Sequence, residues 1–243
     1  MKRLSILLFL LPFILGVSAQ EFNYDFNDLS EGNLDGQDDW TTVVNSSGSP
    51  NEMDVAYSYL GVVSYDGTKA VFYGQSGGNY GRTASRHSQS DFPFDFTLGG
   101  PVEIQVDIHT GYWGTLFGFG YDANDNGYLM QAQETVIEIE DNEGGFGFHI
   151  GNKDLPQIKS FFMPDGSVIP YTFPLESSEG WYRYKLFLDL DANVGAGSIT
   201  MFVAEMEGDF VAVNEISDLN LGMTPGTATS TDPATWTKIF MHA

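Results

Sequence analysis

The chain of 243 residues contains no cysteine, so neither disulfide bonds nor a lipid on an N-terminal cysteine can contribute to it. An exported protein of this kind must be held together by its hydrophobic core, which fits a bacterial cell-envelope or secreted origin. Basic residues are also scarce: 10 lysines and arginines stand against 33 acidic residues, a formal net charge of −23 at pH 7. Nucleic acid and anionic membranes are therefore poor partners.

Long hydrophobic runs are absent except at the N-terminus. There an apolar run from Leu4 to Val17 follows the basic pair Lys2-Arg3 and ends in small residues. The run is too short to span a bilayer, and its small residues are typical of a signal-peptidase site. We expect residues 1–19 to be a secretory signal peptide and residues 20–243 to form one secreted, cell-surface or periplasmic domain, with no membrane insertion after cleavage.

Several chemical signatures are missing as well. The sequence has no phosphate loop, dinucleotide fingerprint, zinc motif or Gly-x-Ser-x-Gly elbow, and its four histidines are spread along the chain. No organic cofactor or zinc site is predicted on this basis. Bound Ca²⁺ is a candidate, because Asp, Asn and Gly are concentrated in the turns.

The pattern that is present is that of short strands. Val102, Ile104, Val106 and Ile108 alternate with polar residues, as in a strand with one buried face. Two long segments, Asn45–Gly67 and Gly74–Asp91, lack such alternation and are predicted to be loops. The predicted strands are Phe22–Phe26, Thr41–Val44, Ala70–Tyr73, Val102–His109, Leu116–Tyr121, Tyr128–Gln133, Val136–Glu140, Gly147–Ile150, Tyr182–Asp189, Ser198–Ala204 and Trp236–His242.

So many short strands are best buried as two packed sheets, because an isolated sheet would leave one apolar face in water. We therefore predict an all-β fold, a two-sheet antiparallel β-sandwich (jelly roll).

Three stretches carry a resemblance to a known family. They are the strand–turn–strand segment Trp181–Ser198, the opening Tyr24–Asn27 with Leu34–Trp40, and the hairpin Phe117–Asp122 leading into Gly127-Tyr128. Together they resemble the concanavalin A-like jelly-roll domains, also called laminin G-like, of secreted bacterial proteins.

That resemblance implies a fold more than an activity, since the superfamily contains lectins, binding modules, glycosidases, lyases and structural domains. It also implies a closing strand after the segment Trp236–Ile239. This sequence stops at Ala243, which is consistent with a domain truncated at its C-terminus.

One candidate catalytic segment contains Glu138, Glu140 and Glu143. It is similar to the Glu-x-Asp-x-x-Glu strand of laminarinase-type retaining glycosidases, whose two carboxylates act as nucleophile and acid/base. The resemblance assigns those roles to Glu138 and Glu143, although the central acid is Glu140 instead of Asp. The alternative is a solvent-facing strand whose acids carry no chemistry.

A cationic cluster, Arg82, Arg86 and His87, stands out against the acidic background and could bind a uronate or sulfated sugar. It distantly resembles the Arg-[Ser/Thr]-Glu-Leu-Arg strand of alginate lyases on this fold. Those lyases also use a Gln-Ile-His strand, for which this chain offers Gln105 and His109 on one side of a strand. The alternative is local pairing of the arginines with aspartates.

Aromatic residues suit sugar recognition because the apolar faces of pyranose rings stack on them. Tyr112 and Trp113, in a turn flanked by glycines, are the best candidates for such a contact. Trp40, Trp181 and Trp236 are instead predicted to cap the core.

A candidate metal site begins at Asp122, where Asp122, Asn124 and Asn126 match the start of a calcium loop. The segment Asp189–Asn193 has a similar alternation of Asp and Asn residues. Gln133 at the twelfth position and the flanking strands exclude an EF-hand, and hairpin turns explain both segments without a metal.

The sequence thus predicts a monomeric, secreted, lectin-like domain that binds a glycan or polysaccharide without catalysis of its own. Its ligand would contact Tyr112, Trp113 and the cluster Arg82, Arg86 and His87. A polysaccharide hydrolase or lyase, and a structural or adhesive module, remain the alternatives.

Overall fold

The computed structural model describes residues 24–44, 53–59, 62–73, 82–87, 94–110, 116–121, 130–133, 136–139, 144–150, 159–176 and 180–242. The predicted signal peptide lies outside these residues. Within them the chain is mostly β-strand with antiparallel sheets. No helix in these ranges is long and apolar enough to cross a bilayer.

The strands, in chain order, are β1 (Gly32–Asn33), β2 (Trp40–Val44), β3 (Met53–Ala56), β4 (Ser58–Tyr59), β5 (Val62–Val63), β6 (Ala70–Tyr73), β7 (Arg82–His87), β8 (Pro101–Thr110), β9 (Leu116–Tyr121), β10 (Met130–Gln133), β11 (Val136–Ile139), β12 (Gly144–Ile150), β13 (Lys159–Phe162), β14 (Val168–Pro170), β15 (Gly180–Asp189), β16 (Ser198–Glu205), β17 (Val211–Ala212), β18 (Leu219–Asn220) and β19 (Lys238–His242). Short helical turns occur at Tyr65–Gly67, Phe96–Leu98, Ala192–Gly195, Asn214–Ile216 and Pro233–Thr235.

Two larger sheets organise the fold. A seven-stranded sheet has the order β14-β13-β12-β9-β19-β7-β2, and a five-stranded sheet has the order β17-β16-β15-β8, with β18 also paired to β16. A three-stranded sheet, β1-β3-β6, and the hairpins β10-β11 and β4-β5 complete the described strands. The described C-terminal strand, β19, lies inside the seven-stranded sheet, between β9 and β7.

One hydrophobic core takes side chains from both larger sheets. Phe117, Phe146 and Phe148 come from the seven-stranded sheet, and they share a cluster with Tyr184 and Leu186 of β15. The rings of Phe148 and Tyr184 stack with their centroids 5.0 Å apart. The period-two pattern of β15 explains this contact, because its even-numbered residues from Tyr182 to Leu188 are all buried.

A smaller core lies beside the first. It consists of the buried residues Leu34, Trp40 and Val55, with Tyr24 and Phe26 packed against them. The Trp40 indole N–H donates to the Tyr24 hydroxyl at 2.9 Å. Residues 24–26, which were predicted to belong to a strand, are irregular and contribute their rings to this cluster instead.

The opposite side of the seven-stranded sheet has glycines where side chains would collide. A Cβ on Gly147 would lie 2.3 Å from the Phe117 carbonyl oxygen and 2.6 Å from the tip of the Phe162 ring. A Cβ on Gly118 would lie 2.7 Å from the tip of the Phe240 ring. Both rings are fully buried, so these glycines make room for them.

Most predicted strands are confirmed, and two of them, Ala70–Tyr73 and Leu116–Tyr121, have the predicted bounds. The two predicted loops are wrong in part, because β3, β4 and β5 lie in the first and β7 in the second. The sequence of β7 is polar and lacks alternation, yet the strand pairs with β2 on one side and β19 on the other. Backbone hydrogen bonds to these two neighbours make it a strand, and such bonds require no particular pattern of side chains.

Candidate functional site

The strongest candidate surface is the side of the five-stranded sheet that faces away from the core, which we call the outer face. On β8, Glu103, Gln105 and Asp107 are exposed, while Ile108 is buried. On β15, the odd-numbered residues from Trp181 to Phe187 lie on the same side, since each pairs directly with an odd-numbered residue of β8 between Glu103 and His109. The outer face consists of Glu103, Gln105, Asp107, His109, Trp181, Arg183, Lys185, Phe187 and Phe202.

Opposite charges on the outer face lie in pairs across the two strands. Arg183 and Asp107 are register partners, and the guanidinium donates two hydrogen bonds to the carboxylate, from Nε at 2.7 Å and from Nη2 at 2.8 Å. These hydrogen bonds raise the pKa of Arg183 above its ordinary value. Lys185 Nζ lies 3.6 Å from Glu103 Oε2, and Gln105 donates to the same carboxylate at 2.6 Å. The charge of this surface is therefore balanced locally.

Aromatic rings lie at both ends and on the far side of these pairs. Trp181 meets His109 edge to face, with ring centroids 5.4 Å apart. Phe187, at the other end of β15, is 39% exposed. Lys185 Nζ lies 4.2 Å from the ring centroid of Phe210 and 4.9 Å from that of Phe202, so the two rings hold the ammonium group in cation–π contacts.

Strand β5 and the helical turn Tyr65–Gly67 that follows it are anchored beside the Trp181 end of the outer face. The Trp181 indole N–H donates to the Val63 carbonyl at 3.0 Å, which fixes the orientation of the indole ring. The Tyr65 hydroxyl donates to the carboxylate of Glu207, and this hydrogen bond raises the pKa of Tyr65. Trp181 is thus held in place by the His109 ring on one side and by the Val63 carbonyl on the other, which favours a pre-organised binding surface.

The dimensions of the outer face suit an extended ligand. Phe187 lies six positions after Trp181, a distance of about 20 Å along an antiparallel strand. Strands β8, β15 and β16 together give a width of about 10 Å between the outermost backbones. Such a surface is large enough for several consecutive units of a linear polymer.

A cleft of about 820 Å³ lies elsewhere, lined by Tyr24, Asp25, Asp28, Leu29 and Asp38. Its aspartates do not form a metal centre: in the described part of the chain, no group of three or more histidine, aspartate or glutamate side chains could hold an ion.

Most of the ligand and metal residues predicted from sequence lie outside the described residues. These are Tyr112 and Trp113 of the predicted sugar contact, Asp122, Asn124 and Asn126 of the predicted calcium loop, and Glu143 of the predicted glycosidase pair. Arg82, Arg86 and His87 lie on β7, where their backbones pair with Val44, Trp40 and Lys238 respectively.

The enzyme alternatives are distributed over separate sheets. Glu138 lies on β11, opposite Gln131 of the β10-β11 hairpin. Gln105 and His109 lie on the same side of β8, as expected from their spacing, but Arg82 belongs to the seven-stranded sheet. The described residues therefore bring together two of the three positions proposed for a lyase and leave the third in a different sheet.

The second predicted calcium segment, Asp189–Asn193, is the turn between β15 and β16. The Asp189 carboxylate accepts the backbone N–H of Asp191 at 3.2 Å, and the Asp191 carboxylate accepts that of Gly100 at 3.0 Å. These carboxylates thus stabilise the turn and its contact with the start of β8.

Two of the three tryptophans predicted to cap the core do so, since Trp40 and Trp236 are each 2% exposed. The prediction for Trp181 is wrong, because this residue lies on the outer face. The alternation of buried and exposed positions on β15 carries the signal that could have placed it there, since Trp181 shares the parity of Arg183 and Lys185.

No known protein family matches the chain, and no curated protein or solved structure is significantly similar to it.

Proposed function

We propose that this protein is a secreted carbohydrate-binding domain, a two-sheet β-sandwich of the concanavalin A-like type, without catalysis of its own. The sandwich is supported by the larger of the two cores, to which both larger sheets contribute, because two sheets that share a core must face each other. Secretion is supported by the signal-peptide pattern of residues 1–19.

The observation that carries the binding proposal is the composition of the outer face. Trp181 and Phe187 offer apolar ring surface about 20 Å apart along one strand. Between them, Asp107 and Glu103 offer carboxylate oxygens, and Arg183 and Gln105 offer N–H groups. Sugars have the matching properties, apolar ring faces that stack on aromatics and hydroxyl groups that donate and accept hydrogen bonds.

Local charge balance indicates a neutral glycan in place of the uronate or sulfated sugar considered from the sequence. The two basic residues of the outer face already have carboxylate partners, Asp107 for Arg183 and Glu103 for Lys185. An anionic ligand would have to displace these carboxylates and approach a chain of net charge −23. Neutral hydroxyl groups can bond to the paired groups without separating them.

The predicted contact residues Tyr112 and Trp113 extend this proposal. They follow the last residue of β8, Thr110, by two and three positions, and Thr110 is the register partner of Gly180, next to Trp181. We keep them, as predicted from the sequence, as proposed contacts of the same glycan.

The experiment is a glycan array probed with residues 20–243, in Ca²⁺ and in EDTA, followed by incubation of each hit and analysis of its products. Binding of neutral oligosaccharides without products is expected. Cleavage of a hit would identify an enzyme and overturn the non-catalytic proposal. Loss of binding in EDTA would assign a role to Ca²⁺, and absence of any binding by folded protein would favour a structural module.

The site is tested with matched surface variants. Trp181→Ala and Phe187→Ala should each weaken binding about tenfold or more, since a lost aromatic contact of about 1.5 kcal/mol corresponds to that factor. Val168→Ala is the control, because Val168 is also an exposed apolar residue, 39% accessible like Phe187, but lies on β14 at the edge of the seven-stranded sheet. Equal affinities of all three variants and the unmodified protein would place the ligand elsewhere.

A further inference from the structure

Among the strands that the structure describes, β8 is an edge of the five-stranded sheet. In the described part of the chain it pairs with β15 alone, over all ten residues from Pro101 to Thr110. Its core-side residues Val102, Ile104 and Val106 are only half-buried, although they pack against the core. A strand of this length with half-exposed apolar side chains is a template on which another strand can pair.

A second copy of β8 fits this edge in one register. Directly opposed side chains of two paired strands lie on the same face of the sheet. The polar faces of the two copies therefore coincide only if odd-numbered residues lie opposite odd-numbered residues and even-numbered opposite even-numbered. Two antiparallel registers meet this condition with nine paired residues per copy. One is centred on Gln105 and the other on Val106.

Charge selects between the two registers. Centring on Gln105 sets Glu103 opposite Asp107 of the second copy, and this repulsion occurs twice by symmetry. Centring on Val106 sets Glu103 opposite His109 and Gln105 opposite Asp107, so that no two carboxylates lie opposite each other. On the core side, the same register sets Ile104 opposite Ile108 and Val106 opposite itself, so that the apolar surfaces are continuous.

Local charge balance also removes the main obstacle to self-association. The chain as a whole has a net charge of −23, which keeps most of its surface from contact with a second copy. Beside the β8 edge, however, Asp107 is paired to Arg183 and Glu103 lies next to Lys185. In the register centred on Val106, which opposes no two carboxylates, the edge is therefore a place where two copies meet without strong repulsion.

We propose that two copies of this chain pair through β8 in the antiparallel register centred on Val106, which joins their five-stranded sheets into one continuous sheet. The two outer faces then lie side by side on the same surface, with Gln105 and Asp107 of both copies at the junction. This proposal differs from the monomer predicted from the sequence. It does not depend on glycan binding, but it would present a long polymer with two adjacent copies of the outer face.

The experiment uses the absence of native cysteine. In the proposed register, position 106 lies on the two-fold axis, and opposed Cα atoms about 4.5–5.5 Å apart are within disulfide range. Val106→Cys should therefore form a disulfide-linked dimer under mild oxidation. Gln105→Cys tests the rejected register, in which it would be the residue on the axis. Val102→Cys is the matched control, because its two copies would lie about 27 Å apart.

The mass of the unmodified residues 20–243 is measured alongside by analytical ultracentrifugation over a range of concentrations, and circular dichroism confirms that each variant is folded. A dimer together with linkage at position 106 alone supports the proposal. A monomer at every concentration overturns it. A dimer in which position 106 does not link, or in which position 105 links instead, overturns the proposed edge or register. Each of these results is read without any glycan, so it is independent of the array.

Discussion

The hydroxyl of Tyr184 provides the sharpest test of the core. Tyr184 is fully buried and stacks on Phe148, and among the described residues its hydroxyl has no hydrogen-bond partner. Tyr171 is a matched neighbour in the same core, but its hydroxyl donates to the His149 carbonyl at 3.1 Å. Removing the two hydroxyl groups should therefore change stability in opposite directions.

The magnitudes follow from hydrogen bonding. Leaving a buried hydroxyl without a partner costs about 1–3 kcal/mol, so Tyr184→Phe should stabilise the protein by about 1 kcal/mol. A formed hydrogen bond contributes about 0.5–1.5 kcal/mol, so Tyr171→Phe should destabilise it by about 1 kcal/mol. The two variants should differ by about 2 kcal/mol, or roughly 4–8 °C in Tm for a domain of this size.

The assay is urea unfolding of residues 20–243 at pH 7, followed by tryptophan fluorescence, with thermal unfolding as the second measurement. The m-value should be unchanged in both variants, since neither substitution alters the surface exposed on unfolding. If Tyr184→Phe lowered the free energy of unfolding as much as Tyr171→Phe does, the Tyr184 hydroxyl would have a partner in solution and the reasoning would be refuted.

Three further predictions concern pH and packing. Burial raises the pKa of both Tyr171 and Tyr184, so they stay protonated in the folded state but ionise above about pH 10 when unfolded. Each should therefore make stability fall by about 1.4 kcal/mol per pH unit there, and urea unfolding at several pH values should show that Tyr184→Phe removes one such contribution from the slope. Burial pushes the pKa of Asp232 up, but hydrogen bonds from backbone N–H groups outweigh this and lower it. The free energy of unfolding should therefore fall as the pH drops below about 4. In Asp232→Asn, whose amide would face the same donors and does not titrate, acid titration should show a smaller fall. Gly147→Ala should cost about 2 kcal/mol or more in urea unfolding, because its Cβ would lie 2.3 Å from a carbonyl oxygen, whereas Gly208→Ala, with its nearest contact at 3.4 Å, should change stability little.

Much of the fold could be predicted because a strand with one buried face shows alternating apolar and polar residues in its own sequence. The alternation of β8 and β15 is visible in the sequence, and the same alternation gives the side on which Gln105 and His109 lie. Strand β7 could not be found this way, since Arg82–His87 has no apolar periodicity and owes its conformation to pairing with β2 and β19. Strand β13 was missed for a related reason: all four of its residues are buried, so its exposure does not alternate.

The candidate site shows the same division. The sequence directed attention to clusters of like residues, such as Arg82, Arg86 and His87, or Tyr112 and Trp113. The outer face is assembled differently, from residues about 75 positions apart that become neighbours only through the register of β8 with β15, as Arg183 and Asp107 do.

The sequence by itself determined the absence of disulfides, the strongly acidic character, the predominance of strands and the parity of exposed positions along them. Each of these depends on composition or on neighbours a few residues apart. Only the tertiary structure decided that β19 lies inside the seven-stranded sheet, that β8 is an edge among the described strands, and that Trp181 faces outward beside His109. These features depend on which strands pair and in what register, and that is settled by burying all apolar faces at once.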